Sequence, residues 1–171
     1  MVTSKEPGRP RASREGADAE PIPPAGAHPE RELRTSRLLP FPREAVFAAW
    51  VDGARLARWW GPAGFRNAFE VFEPRPGGAW RFTMIGPDGT RYPNASRFVV
   101  LEPPGRIVVR HVSGHAFDLV VTLEDEGGAT RLGWCQRFET AEAMERVRRI
   151  AEPANEENLD RLEAELREPG P

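Results

Sequence analysis

The chain has 171 residues, enough for a domain with a substantial hydrophobic core, and its formal net charge is −2. That charge gives no electrostatic argument for binding nucleic acid or a membrane surface, and the single cysteine, Cys135, excludes an internal disulfide. No apolar run approaches the roughly 20 residues of a membrane-spanning helix, and the N-terminus lacks the apolar core of a secretory signal. We therefore expect a soluble cytoplasmic protein that binds neither nucleic acid nor a membrane.

Residues 1–32 differ in composition from the rest of the chain. They are rich in proline, glycine, alanine and charges of both signs, and they contain no aromatic residue. Such a segment buries too little apolar surface to offset the entropy lost on ordering. The sequence therefore predicts a disordered tail at 1–32 and a single domain at 33–168.

The domain opens with a predicted strand followed by two short helices. Leu33–Leu39 is the strand, and Arg43–Val51 is the first helix, with apolar residues on one face. Ala54–Trp60 is the second helix, which Gly61-Pro62 ends.

From about residue 67 the apolar residues alternate with a period of two, which predicts strands. Short joints rich in proline and glycine, such as Pro87-Asp88-Gly89, are typical of turns between antiparallel neighbours. The predicted strands are Asn67–Glu73, Ala79–Ile85, Ser96–Glu102, Arg106–Val112, His115–Glu124 and Thr130–Phe138.

The chain ends in an amphipathic helix that begins after Thr140, a residue suited to an N-cap. Pro153 falls inside this pattern and predicts a break or kink, with a short piece before it and a longer piece after it. The element order is therefore one strand, two helices, six strands and a helix, an α+β arrangement in two layers. A sheet of this size curls, and curling around one helix leaves room for a cavity.

Several segments, in this order, resemble a known family. They are the opening Arg37–Trp50, Trp59–Pro62, the hairpin Arg75–Asn94, the turn Pro103–Gly105 and the closing helix Asn158–Leu166. Together they resemble the SRPBCC/START-like superfamily, and within it the branch named for the activator of the heat-shock protein 90 ATPase. The resemblance covers about residues 33–168. It implies a helix-grip fold, in which a curved antiparallel sheet of about six to seven strands wraps around a long C-terminal helix and encloses a mostly apolar pocket.

Aromatic and apolar side chains in phase on the strands define a candidate ligand pocket. The resemblance adds the helix pair near Trp60, which it places at the pocket mouth. His115 and Gln136 are the polar residues in phase with the pocket, so they are candidates to orient a ligand. Alternatively, His115 lies at a strand end and meets solvent, and the Tyr92 hydroxyl bonds only to backbone. The candidate pocket residues are Trp60, Trp80, Phe82, Tyr92, His115, Phe117, Trp134, Gln136 and Leu162.

The sequence predicts no metal, no cofactor and no catalytic constellation. His111 and His115 flank one tight turn, but no third ligand has metal-like spacing. Cys135 has the opposite strand phase from Trp134 and Gln136, so we expect it to face away from the pocket. No nucleotide-binding motif is present, and the sequence favours a protein that is not an enzyme.

Three hypotheses for function follow. The first is binding of a small hydrophobic or aromatic molecule in a pocket between the sheet and the C-terminal helix. The second, which the resemblance implies, is a co-chaperone-like module that binds a chaperone. It is weakened because a tail stands where the eukaryotic activators carry an N-terminal domain. The third is a cyclase or dehydratase that uses His115, Gln136, Tyr92 and Arg97 in the same pocket.

Overall fold

The structure, a computed structural model, describes residues 22–168. A short 3-10 turn at Pro29–Arg31 precedes the first strand. None of the helices among residues 22–168 combines the length and the apolar character that a membrane span needs. The elements are β1 Glu32–Leu39, α1 Arg43–Val51, α2 Gly53–Trp59, β2 Arg66–Phe72, β3 Ala79–Ile85, β4 Arg91–Glu102, β5 Arg106–His111, β6 Phe117–Glu126, β7 Ala129–Phe138 and α3 Ala141–Arg167.

The described strands form one seven-stranded antiparallel sheet in the order β1-β7-β6-β5-β4-β3-β2. β1 closes the order by pairing with the last strand, with Thr35 opposite Trp134. Register shifts between Phe69 and Val71, and between Phe98 and Val100, bend the sheet. The long helix α3 lies against its concave face, so the predicted α+β helix-grip fold is confirmed.

Two strands differ from their predicted limits by more than one residue. β4 begins at Arg91 rather than at Ser96. The Gly86 amide donates to the Thr90 carbonyl and closes a tight turn, so β3 and β4 pair directly from that turn onward. Pro93 is tolerated there because pairing with β5 starts only at Ser96. β6 begins two residues later than predicted, which leaves His115 in the turn before it.

The predicted break at Pro153 is wrong, since α3 is continuous from Ala141 to Arg167. A proline inside a helix leaves one carbonyl four residues earlier without its donor, here that of Arg149. Both Pro153 and Arg149 are exposed, so water can satisfy that carbonyl. Packing on both sides of the proline then holds the helix in one piece.

The residues just before β1 lie across the convex face of the sheet. Ile22 packs on an apolar cluster that contains Cys135, and the Arg137 guanidinium donates to the carbonyls of Pro23 and Pro24. Arg137 also donates to the buried carboxylate of Glu32, at 2.8 and 2.9 Å. Thus residues 22–31 of the predicted tail make defined contacts with the sheet. Residues 1–21 lie outside the described residues, and for them disorder stays a prediction.

Candidate functional site: a cavity beneath the first half of the long helix

All five tryptophans of the chain meet in one cluster under the second half of α3. The ring centroids of Trp50 and Trp59 are 4.8 Å apart, and those of Trp60 and Trp134 are 5.9 Å apart in a stacked geometry. Trp60 also meets Trp80 edge to face at 5.0 Å. Such contacts add to the gain from burying the rings, so this end of the molecule is a packed core.

Five of the nine candidate pocket residues belong to this packed core. Trp80 and Leu162 have no exposed surface, and Phe82 and Trp134 are 2% exposed. Trp60 is partly buried and packs against the same core. Strand phase puts Trp80, Phe82 and Trp134 on the face of the sheet that meets the helix, but it carries no information on whether the space between them is filled. The structure brings the other four, Tyr92, His115, Phe117 and Gln136, together at the opposite end.

Polar contacts from α3 fix the loop that follows α2 over the packed core. The half-buried Arg161 guanidinium donates to five carbonyl oxygens, and burial lowers the pKa of this group. The Asn158 Oδ1 atom accepts from the Gly61 amide at 2.7 Å. Gly61 has a positive φ of 95°, and a Cβ there would lie 2.6 Å from the Met84 Cε atom, so this position requires glycine. The five carbonyls belong to Arg58, Trp60, Gly61, Pro62 and Phe65.

A second set of contacts joins the end of α3 to α2. The Glu165 carboxylate accepts from Arg58 at 2.7 and 2.9 Å and from Arg55 at 3.1 Å. The hydrogen bond from Arg58 holds the pKa of Glu165 below its ordinary value, although burial opposes this effect. The second half of α3 is therefore fixed by ion pairs as well as by apolar packing.

A cavity of about 460 Å³ opens between the first half of α3 and the ends of β4 to β7. This volume lies within the range of small-molecule sites in proteins. Sheet and helix contribute the apolar walls, which are Phe117, Phe138, Val147, Ile150 and Ala151. Polar and aromatic residues surround the mouth, among them Tyr92, Asn94, His111, Ser113, His115 and Arg146.

The cavity walls carry flat rings and exposed apolar side chains. His111 stacks on Phe117 with centroids 4.9 Å apart, and Phe117 meets Phe138 at 5.6 Å. Tyr92 is 47% exposed and Ile150 is 77% exposed, and both line the cavity. Exposed large apolar side chains at a concave site are typical of binding surfaces.

His111 is fixed between two serines. Its Nδ1 atom lies 3.2 Å from the Ser96 hydroxyl, and its Nε2 atom lies 3.4 Å from the Ser113 hydroxyl. Burial lowers the pKa of His111, the backbone of Ser113 opposes that shift, and His115 adds to it. The ring is therefore neutral at neutral pH and presents a stacking face rather than a charge.

Gln136 supplies a polar group deep in the cavity. Its side chain is 9% exposed, and its Oε1 atom accepts from the Asn155 amide at 2.8 Å. The Nε2 atom has no protein acceptor within residues 22–168, and the residue lines the cavity. This donor is therefore available to water or to an acceptor oxygen in the cavity.

Cys135 and Arg97, two further residues that could carry chemistry, lie away from the cavity. Cys135 lies on the convex face, and burial followed by the charge of Glu32 raises the pKa of its thiol to about 11. Such a thiol is a poor nucleophile at neutral pH. Arg97 does not line the cavity. Among residues 22–168, no group of three or more His, Cys, Asp or Glu side chains could hold a metal ion.

Several cavity residues were not among the candidates. Phe138 is in strand phase with Trp134 and Gln136, and Val147 and Ala151 follow the apolar spacing of α3, so a signal for all three was present. That signal does not single them out as cavity residues, because an apolar pattern is the same for a cavity wall and for a filled interior.

A curved antiparallel sheet that grips one long helix, with a cavity between them, defines an α+β domain of the SRPBCC/START-like class. The family model described as "Activator of Hsp90 ATPase homolog 1-like protein" matches residues 40–167. The chain belongs to this family.

Solved structures share the fold. A protein from Nitrosomonas europaea has a TM-score of 0.76 at 20% identity, covering 88% of this chain and 100% of that chain. A protein from Arthrobacter aurescens has a TM-score of 0.77 at 26% identity, covering 83% of this chain and 89% of that chain. The AHSA1 protein from Silicibacter pomeroyi has a TM-score of 0.66 at 27% identity, covering 81% of this chain and 99% of that chain. No curated protein matches the sequence.

Proposed function

We propose that this protein binds a small hydrophobic or aromatic molecule in the cavity between the sheet and the first half of α3, and that it does so in the cytoplasm. The observation that carries the proposal is the cavity of about 460 Å³ with aromatic and aliphatic walls. The fold family typically binds hydrophobic ligands, which agrees with this use of the site.

The walls suggest how a ligand is held. Phe117 and Phe138 offer ring faces from the sheet, and Val147 and Ala151 offer aliphatic surface from α3. Each Å² of apolar surface removed from water contributes roughly 25 cal/mol before the costs of association are subtracted. Gln136 then orients the ligand by donating to one of its oxygens.

The test is an NMR titration of the full chain with aromatic and aliphatic compounds of graded size. We expect amide shifts that cluster on β6, β7 and the first half of α3. Ala151→Trp fills the cavity from the helix and should abolish the shifts. Arg149→Trp places the same ring on an exposed position that does not line the cavity, so it should preserve them. Binding that survives Ala151→Trp would contradict the proposal.

A chaperone partner is the second candidate. The family description names an activator of the Hsp90 ATPase. The exposed Tyr92 and Ile150 at the cavity mouth offer an apolar surface that a protein could also cover. Addition of the full chain to a bacterial Hsp90 homologue should then change its ATPase rate, and Ile150→Asp should remove the change. An unaltered rate and no association would exclude this candidate.

A further inference from the structure

The cavity walls have an unusual charge balance. The whole chain carries 26 acidic and 24 basic residues, so acidic side chains are as available as basic ones. Yet the fourteen lining residues include no aspartate or glutamate, and Arg146 is the permanently charged residue among them. Because an anion entering this site meets no carboxylate in the walls, the site favours anions over cations.

Arg146 is the permanent charge at the mouth of the cavity. Within residues 22–168 its guanidinium forms no hydrogen bond and no ion pair, although its charge acts on Glu142 one turn earlier. Its neighbour Arg148, by contrast, is paired with Glu145 and Glu152 at 2.8 Å each. A guanidinium presents paired donors that match the two oxygens of a carboxylate.

The amide donor of Gln136 inside the cavity also favours a ligand that carries acceptor oxygens. The Nε2 atom of Gln136 is available to an acceptor, because the Asn155 amide occupies only the Oε1 atom. The cavity is also lined by the rings of Tyr92, His111, Phe117 and Phe138, which favour a flat, conjugated body over a flexible chain.

On these grounds we infer that the ligand of this cavity is an aromatic carboxylic acid, bound as its anion, with the carboxylate at Arg146 and the ring system between Phe117 and α3. This inference rests on the proposed function and adds the chemical class of the ligand. An oxygen substituent on the far side of the rings accepts from Gln136.

The test uses matched pairs of probes on the full chain. Benzoate, 2-naphthoate and 2-anthroate are titrated beside their primary amides, which keep the shape and lose the charge, and binding is followed by NMR at pH 7. For at least one pair, we expect the acid to bind about tenfold more tightly than the amide, a ratio that raised salt reduces. Arg146→Gln should bring the ratio to about one, whereas Arg149→Gln should leave it unchanged.

The outcomes separate the two proposals. If the amides bind as tightly as the acids, or if Arg146→Gln leaves the ratio intact, the assignment of an acid is overturned while the cavity remains a binding site. If neither member of any pair shifts resonances of the cavity walls, the proposed function fails together with the inference.

Discussion

The two halves of α3 face the same concave sheet, but what lies between helix and sheet differs. Under the second half, the five tryptophans and their neighbours fill the space, and Leu162 has no exposed surface. Under the first half, Val147 and Ala151 face a cavity, and Ile150 stands largely in solvent. One helix therefore closes a core at one end and borders a cavity at the other.

The short helices α1 and α2 account for this difference. They insert Trp50 and Trp59 between the sheet and α3, and α2 is tied to the end of α3 through Glu165. The first half of α3 faces the ends of strands and the turn that contains His115, and the cavity remains there. This domain thus keeps a cavity where α1 and α2 do not reach. The packing of α1 and α2 at the other end offsets the apolar contacts that are missing at the cavity.

The largest effect on stability is expected from truncating a side chain in the packed core under the second half of α3. Leu162→Ala should lower the free energy of unfolding by about 2–5 kcal/mol, since it leaves a void in a closed core. Val147→Ala removes apolar carbon from a wall that already borders a cavity, so it should cost about 1 kcal/mol or less. Urea unfolding followed by far-UV circular dichroism measures both. Equal losses would show that the two halves are packed alike.

Removing the polar contacts over the filled end should have the next largest effect. Arg161→Met keeps most of the aliphatic stem but removes the guanidinium donor from five carbonyl oxygens. Two of these, the carbonyls of Trp60 and Pro62, keep a second donor in the Asn67 side chain and the Phe65 amide. The substitution should cost about 1–3 kcal/mol. Arg149→Met, on the exposed face of the same helix, serves as the control and should change stability by less than about 0.5 kcal/mol. A neutral Arg161→Met would mean that water replaces the guanidinium without loss.

A smaller, pH-dependent effect is expected at the open end. Because burial lowers the pKa of His111 below its ordinary 6.5, the unfolded chain takes up the proton before the folded chain does. Its contribution to stability is therefore present above pH 6.5 and is lost as the pH falls through the folded pKa. Unfolding measured between pH 5 and 8 should show this slope in the wild type and a shallower slope in His111→Asn. His115→Asn changes an exposed residue between β5 and β6, and this variant should keep more of the dependence of stability on pH.

The smallest change in stability should come from the cavity mouth. Ile150→Ser alters a side chain that is 77% exposed, so the free energy of unfolding should change by less than about 0.5 kcal/mol. The same substitution should weaken binding of an aromatic probe severalfold, because it removes apolar surface from the mouth. Calorimetric titration of the variant beside the wild type checks this. A large loss of stability would place Ile150 in the core and remove the contrast between the halves.

The sequence predicted the fold well because strand phase and turn residues are local signals. Trp80 and Phe82 on one face, and Cys135 on the opposite face from Gln136, were correctly placed by alternation alone. The continuity of α3 was missed because the cost of Pro153 depends on whether the freed carbonyl meets water, which is a tertiary property.

The site was harder to predict than the fold. Trp134 and Phe138 lie on the same face of β7, yet one is in the packed core and the other lines the cavity. What separates them is how far α1 and α2 extend over the sheet, and no local pattern encodes that distance. The orientation of Gln136 toward Asn155 likewise depends on a contact across nineteen positions of the chain.

The clustering of the tryptophans also has an optical consequence. Indole rings whose centroids lie 4.8 to 5.9 Å apart couple their electronic transitions, so the near-ultraviolet circular dichroism should be intense and the emission should come from one coupled group. No tryptophan lines the cavity. The tryptophans therefore report melting of the packed core, and an occupant of the cavity is better followed through its own absorption or emission.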